Sequence, residues 1–133
     1  MRRLMSVILA AAVLAIGAVA FAAPSQHGTA DLQSLSASGV TGQARLNEVQ
    51  SQINFQAQIR GLQPGIEYQI QWYANSSCQT EATVNVIGTF TANPAGMASF
   101  NAKLAKTLPD IGSVSVVRVS DSAALACGSV VVQ

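Results

Sequence analysis

Hydrophobic and polar side chains alternate strictly over two neighbouring stretches, and this period of two limits the chain to β structure more firmly than any other feature. Ile53, Phe55, Ala57 and Ile59 alternate with Asn54, Gln56, Gln58 and Arg60, the pattern of a strand with one face in a core and the other in water. Ile66, Tyr68, Ile70 and Trp72 repeat it against Glu67, Gln69, Gln71 and Tyr73. Between them Gly61-Leu62-Gln63-Pro64-Gly65 reads as a turn, Pro presetting φ and Gly permitting a positive one. The two strands are therefore antiparallel neighbours or the two arms of a corner between sheets. Weaker patterns predict further strands at Ala30 to Leu35, Val40 to Leu46, Val84 to Ala92, Met97 to Leu104, Ser113 to Val119 and Leu125 to Val132, with Asn93-Pro94-Ala95-Gly96 as a turn. About eight strands, short turns and no helix in this part of the chain predict an all-β Greek-key sandwich or flattened barrel.

The chain has 133 residues, the size of one domain. Arg2 and Arg3 precede an uncharged apolar run from Leu4 to about Ala20, followed by Ala20-Phe21-Ala22, the layout of a secretory signal. Residues 1–22 are read as a signal peptide cut after Ala22, with Ala18-Val19-Ala20 as a second site; retention as a membrane anchor is the alternative. Residues 23–29 lack periodicity and read as a flexible tail, leaving 30–133 as the β domain. The chain is thus expected to be secreted or periplasmic, with no membrane span once the signal is removed.

Beyond the signal, Arg45, Arg60, Lys103, Lys106 and Arg118 face Asp31, Glu48, Glu67, Glu81, Asp110 and Asp121 along the sequence, five cations against six carboxylates. No run of basic residues survives, so a nucleic-acid partner is not expected. The two cysteines, Cys78 and Cys127, are read as a disulfide, because an exported chain enters a compartment where such a bond persists. Free thiols or a metal pair are the alternatives, the latter disfavoured by wide spacing and the absence of nearby His or Cys. Closing a loop of about 50 residues stabilises a small domain by roughly 4 kcal/mol in the chain-entropy model.

Catalytic groups are scarce. The only His, His27, lies in the predicted tail. A His third from a free amine closes a copper chelate, but cleavage after Ala22 puts it fifth and Pro24 removes a backbone nitrogen donor, so His27 reads as a solvated tail residue. One such His and two bonded cysteines cannot assemble a nucleophilic triad. The scattered carboxylates read as solvated surface charge rather than as an acid–base pair, and no Gly-rich phosphate loop opens a helix. Tyr73 with Gln56, Gln58, Gln69 and Gln71 forms a candidate neutral, hydrogen-bonding face suited to a cell-surface glycan or a peptide. Trp72 and Tyr68 fall on the apolar side and read as core. Val114, Val116, Val117 and Val119, then Val130, Val131 and Val132, make the last strands apolar on both sides, which predicts packing beyond the barrel or a partner surface.

Several segments occur in an order that resembles the copper/zinc superoxide dismutase family over nearly the whole domain. They are Gly39-Val40-Thr41-Gly42, Ile59-Arg60-Gly61-Leu62-Gln63-Pro64-Gly65, Gly88-Thr89-Phe90-Thr91-Ala92-Asn93 leading into Gly96-Met97-Ala98, and Leu125-Ala126-Cys127-Gly128. The resemblance implies that family's eight-stranded barrel, with Cys78 bridged to the Leu-Ala-Cys-Gly segment. It also implies where metal should sit, and there the residues depart from the pattern. The family's paired copper-binding His positions look like Gln69 and Gln71, and its later copper ligand, after two apolar residues, looks like Arg118 after Val116-Val117. A neutral amide coordinates copper weakly and a permanent cation repels it. The segment between Tyr73 and Val86 is short and holds no His or Asp for a zinc site. The loop that steers substrate in the family is cut to Ser120-Asp121-Ser122-Ala123-Ala124, with Ala124 where its guiding Arg would stand.

The resemblance therefore implies a non-catalytic structural or binding module without a cofactor; a copper-dependent enzyme of residual or unconventional activity is the alternative. In the family the outer face of the last strands contributes to a subunit interface, so a homodimer through those strands is expected.

Overall fold

A computed structural model describes residues 26–133; the signal peptide and its cleavage or anchor alternatives, and the first residues of the predicted tail, lie outside the described residues. Eight strands follow one another: β1 (Gln26–Ser34), β2 (Thr41–Val49), β3 (Gln52–Arg60), β4 (Glu67–Tyr73), β5 (Asn85–Thr91), β6 (Ala98–Leu104), β7 (Ser113–Arg118) and β8 (Ala123–Val132), with one 3-10 turn at Leu108–Asp110 before β7. Each predicted strand is present, its ends moved by a few residues.

All pairings are antiparallel, in the order β5-β4-β7-β8-β1-β2-β3-β6. The sheet curls until β5 lies against β6, giving a nearly closed, flattened barrel. No backbone ladder joins β5 to β6 among the described residues. Aromatic rings fill that seam instead: Phe90 and Phe100 lie 6.0 Å apart between ring centres, Phe55 and Phe100 6.1 Å, and Tyr68 and Phe90 5.8 Å. Gly88 on β5 leaves room for this packing, since a Cβ there would stand 2.5 Å from the Phe100 ring.

The order settles the relation of the two strands with the clearest alternation. β3 lies between β2 and β6, and β4 between β5 and β7, so the segment between them turns a corner from one half of the barrel to the other. Gly61 adopts φ +78° there and approaches Gly39 so closely that a Cβ would sit 2.1 Å from its carbonyl oxygen, a position open only to glycine. The buried Tyr68 hydroxyl accepts the Gln63 N–H at 2.9 Å and pins the corner from inside.

β1 corrects one expectation. Gln26–Thr29, read as part of the tail, are its first residues, paired to β2 (His27 with Asn47, Thr29 with Arg45) and to β8 (Gly28 with Val132, Thr29 with Val131). The alternation is invisible in the sequence because the inward position is Gly28, whose missing side chain makes room for Leu108 and Val130.

The inward side chains of both halves form one core around Leu32, Leu46, Phe55, Ile59, Tyr68 and Ile70. Burying such aliphatic and aromatic side chains contributes about 1.5–3 kcal/mol each. β7 is covered on both faces, as its composition predicts. Val114 and Val116 enter the core, while Ser113 and Ser115 on the other face are fully buried. The cover over Ser113 comes from this chain's own segment after β4. The Ser113 hydroxyl donates to the Asn75 carbonyl at 2.7 Å and accepts the Cys78 N–H at 3.0 Å, and the Ser129 hydroxyl donates to the Ser76 carbonyl. Cys78 and Cys127 form the disulfide that fastens this segment to β8, with Cα atoms 6.1 Å apart. Further along, Val119, Val131 and Val132 are exposed.

Candidate functional site

Two outward faces carry the polar residues singled out in the sequence. The first belongs to β4 and β7. Successive residues of a strand point to opposite faces, so Gln69, Gln71 and Tyr73 share the outer side while Tyr68 and Ile70 go to the core. These side chains are consumed by one another. The Ser115 hydroxyl lies 2.9 Å from that of Tyr73, which donates to Gln71 Oε1 at 3.1 Å, and Gln71 Nε2 donates to Gln69 Oε1 at 2.8 Å. With one proton per hydroxyl, the chain runs in a single direction from Ser115 to Gln69.

Arg118, the third position at which the resemblance implies a copper ligand, does not join them. Its cross-strand partner is Tyr68, whereas Gln69 faces Val117, so Arg118 belongs to the opposite side of the sheet. It forms a two-pronged ion pair with Asp121, Nε to Oδ1 at 2.9 Å and Nη2 to Oδ2 at 2.8 Å. Each partner favours the other's charge: the hydrogen bond from Arg118 holds the Asp121 carboxyl below its ordinary range, and that to Asp121 holds the guanidinium above its own. Asp110 is also held low, by hydrogen bonds from the Thr107 backbone and hydroxyl. Among the described residues no three His, Cys, Asp or Glu side chains converge.

The second face is the outer side of β2, β3 and β6, where Gln56 and Gln58 lie fully outward. Tyr73 is in the other half of the barrel, so the single face of Gln56, Gln58, Gln69, Gln71 and Tyr73 expected from the sequence is two separate faces. Alternation told which side of its strand each residue takes, but not which strands would be neighbours.

Strand register then brings together what the sequence keeps apart. Gln58 is flanked by Gln43 and Ser99, Gln56 by Arg45 and Asn101, and Asn54 by Asn47 and Lys103. Directly opposed side chains have Cβ atoms about 5 Å apart, so these nine residues form a grid, and Arg60 extends the β3 row. Arg45, Arg60 and Lys103 are three of the five cations beyond the signal segment, and none is in an ion pair among the described residues. The outer positions of these three strands hold no carboxylate; Glu48 on β2 turns its side chain to the Leu108 N–H, and Asp31 lies beyond, on β1 beside Gln43. Sequence reasoning missed the cation cluster because the three residues are far apart in the chain and carboxylates elsewhere offset them in net charge; only the register adds them.

Two open hollows mark the β3–β6 boundary. One, of about 380 Å³, is lined by Gln43, Gln58, Arg60 and Ser99 among others. The other, of about 420 Å³, is lined by Asn54, Gln56, Asn101 and Lys103 among others. His27 borders this face on β1, its Nδ1 2.7 Å from Asn47 Oδ1. No known family model matches the sequence, and no curated protein matches it.

Proposed function

We propose that the chain is an exported, non-catalytic binding module built on a superoxide dismutase-like Greek-key barrel. The strand order supports the fold reading, since the β3–β4 and β6–β7 connections both cross between halves, as Greek-key winding requires. The disulfide supports an oxidising compartment, in keeping with the signal-like residues 1–22.

The observation that carries the non-catalytic reading is the hydrogen-bond chain through Ser115, Tyr73, Gln71 and Gln69. At the two positions where the resemblance implies copper-binding imidazoles stand amides whose facing donors and acceptors already satisfy each other, and the third position is a guanidinium tied to Asp121. A bound metal would have to break that chain and then rely on weak oxygen donors.

The test is metal analysis and a superoxide assay on protein recovered without an affinity tag from the periplasm or medium. Substoichiometric copper without dismutation is the expected result. One tightly held copper per chain together with dismutation would establish the enzyme instead.

A further inference from the structure

We infer that the outer face of β2, β3 and β6 binds an acidic polysaccharide, a carboxylated or sulfated glycan laid along the boundary of β3 and β6. The inference rests on the binding-module reading above and supplies its ligand class. Its first ground is charge. Arg45, Arg60 and Lys103 have no anionic partner among the described residues and share a face whose own strands offer no outward carboxylate. From a strand spacing of about 4.8 Å and a same-face repeat of about 6.8 Å, Arg45 lies about 12 Å from Lys103 and about 14 Å from Arg60, while Lys103 and Arg60 stand about 20 Å apart. Lys103 and Arg60 thus mark the two ends of the β3–β6 boundary, with Arg45 flanking its middle. A single sugar ring cannot span these ends, whereas a chain with repeated acidic groups meets all three.

The second ground is what lies between the cations. Asn54, Gln56, Gln58, Asn101 and Ser99 line the boundary, and none of them makes a side-chain hydrogen bond among the described residues. Each amide offers both donors and acceptors, which is the chemistry that reads hydroxyl groups. The two hollows lie along this same line.

Other macromolecules fit less well. A single-stranded nucleic acid would look for aromatic platforms, and the outer positions of these strands carry none. A membrane would look for apolar side chains, but the exposed Val49 and Met97 sit only at the two ends of the face. A protein partner would look for aromatic anchors at its centre, where there are amides.

The experiment uses the full exported chain and measures binding to polygalacturonate and dextran sulfate, with neutral dextran, single-stranded DNA and phosphatidylglycerol vesicles as comparisons. The triple variant Arg45→Gln/Arg60→Gln/Lys103→Gln changes only outward side chains and should lose about tenfold or more in affinity for the acidic glycans. Lys106→Gln, which removes a cation elsewhere, should leave it within twofold. Gln56→Ala/Gln58→Ala should weaken glycan binding while leaving its salt dependence unchanged, since it removes hydroxyl contacts and no charge. Failure of the wild-type chain to bind either acidic glycan overturns the inference, as does equal binding by the triple variant. So does binding of DNA or vesicles as tight as that of glycan and indifferent to the amide variant, which would make the face a general anion surface. Each of these results leaves the metal analysis untouched, so the two readings fail separately.

Discussion

Gln69 and Gln71 on β4 and Gln56 and Gln58 on β3 are the same residue type at the same two-residue spacing on outward faces, yet they have opposite fates. On β4 the amides are half-buried and locked into a chain ending at a buried serine. On β3 they are exposed and make no side-chain hydrogen bond among the described residues, Gln56 between Arg45 and Asn101 and Gln58 between Gln43 and Ser99. The neighbours decide which glutamine is structural and which is available. β4 lies beside β7, whose far face is roofed by a disulfide-anchored segment, whereas β3 lies between two strands that are equally hydrophilic outside.

The sharpest way to break that contrast is to remove the roof. Cys78→Ser with Cys127→Ser should lower stability by roughly 4 kcal/mol in the chain-entropy model, read from the urea midpoint, with no change in glycan binding by the protein that remains folded. A loss below 1 kcal/mol would mean that the covering segment holds without its tether.

Next in size is Ser115→Ala, which deletes the buried end of the hydrogen-bond chain and should cost about 1 kcal/mol; equal stability would show that the Ser115–Tyr73 bond adds nothing net. Gln71→Ala against Gln58→Ala compares the faces directly. The first interrupts the chain and should cost about 1 kcal/mol, while the second removes no side-chain hydrogen bond among the described residues and should stay within about 0.5 kcal/mol. Similar values for the two would erase the distinction drawn here.

The smallest effect concerns acid. The folded carboxyls of Asp121 and Asp110 are held low by their hydrogen bonds, so their contribution is complete above the ordinary carboxylate range and is lost as the pH falls through it toward the lowered values. A denaturation series on Asp121→Asn should show a shallower loss of stability on acidification than the wild type. An identical slope would show that the pair with Arg118 adds nothing.

Much of the fold was legible because period two reports on burial. Ile53 to Arg60 announce both the strand and its faces, and the corner at Gly61 to Gly65 announces the turn. Three features were hidden, two for local reasons and one for a long-range reason. The start of β1 was masked by Gly28, which occupies an inward position with no side chain. The β2–β3 hairpin turns at Gln50 and Ser51, which adopt φ of 53° and 60° and lack the Asn-Gly or Asp-Gly signal such turns usually carry. The strand order could not be read because alternation fixes a residue's side but is silent about its strand's neighbours. That same silence placed Tyr73 with Gln56 and Gln58, and it concealed Arg45, Arg60 and Lys103, whose proximity exists only in the register.

The aromatic seam between β5 and β6 has a mechanical meaning. The described residues form one eight-stranded ribbon rolled on itself, continuous through the β8–β1 ladder. Its margins β5 and β6 are held by ring packing and by the short turn between them, closed by the Asn93 N–H to Met97 carbonyl bond, rather than by a ladder. Parting the margins away from that turn breaks ring contacts but no backbone ladder, so warming should first let the ribbon gape there while every strand keeps its partners.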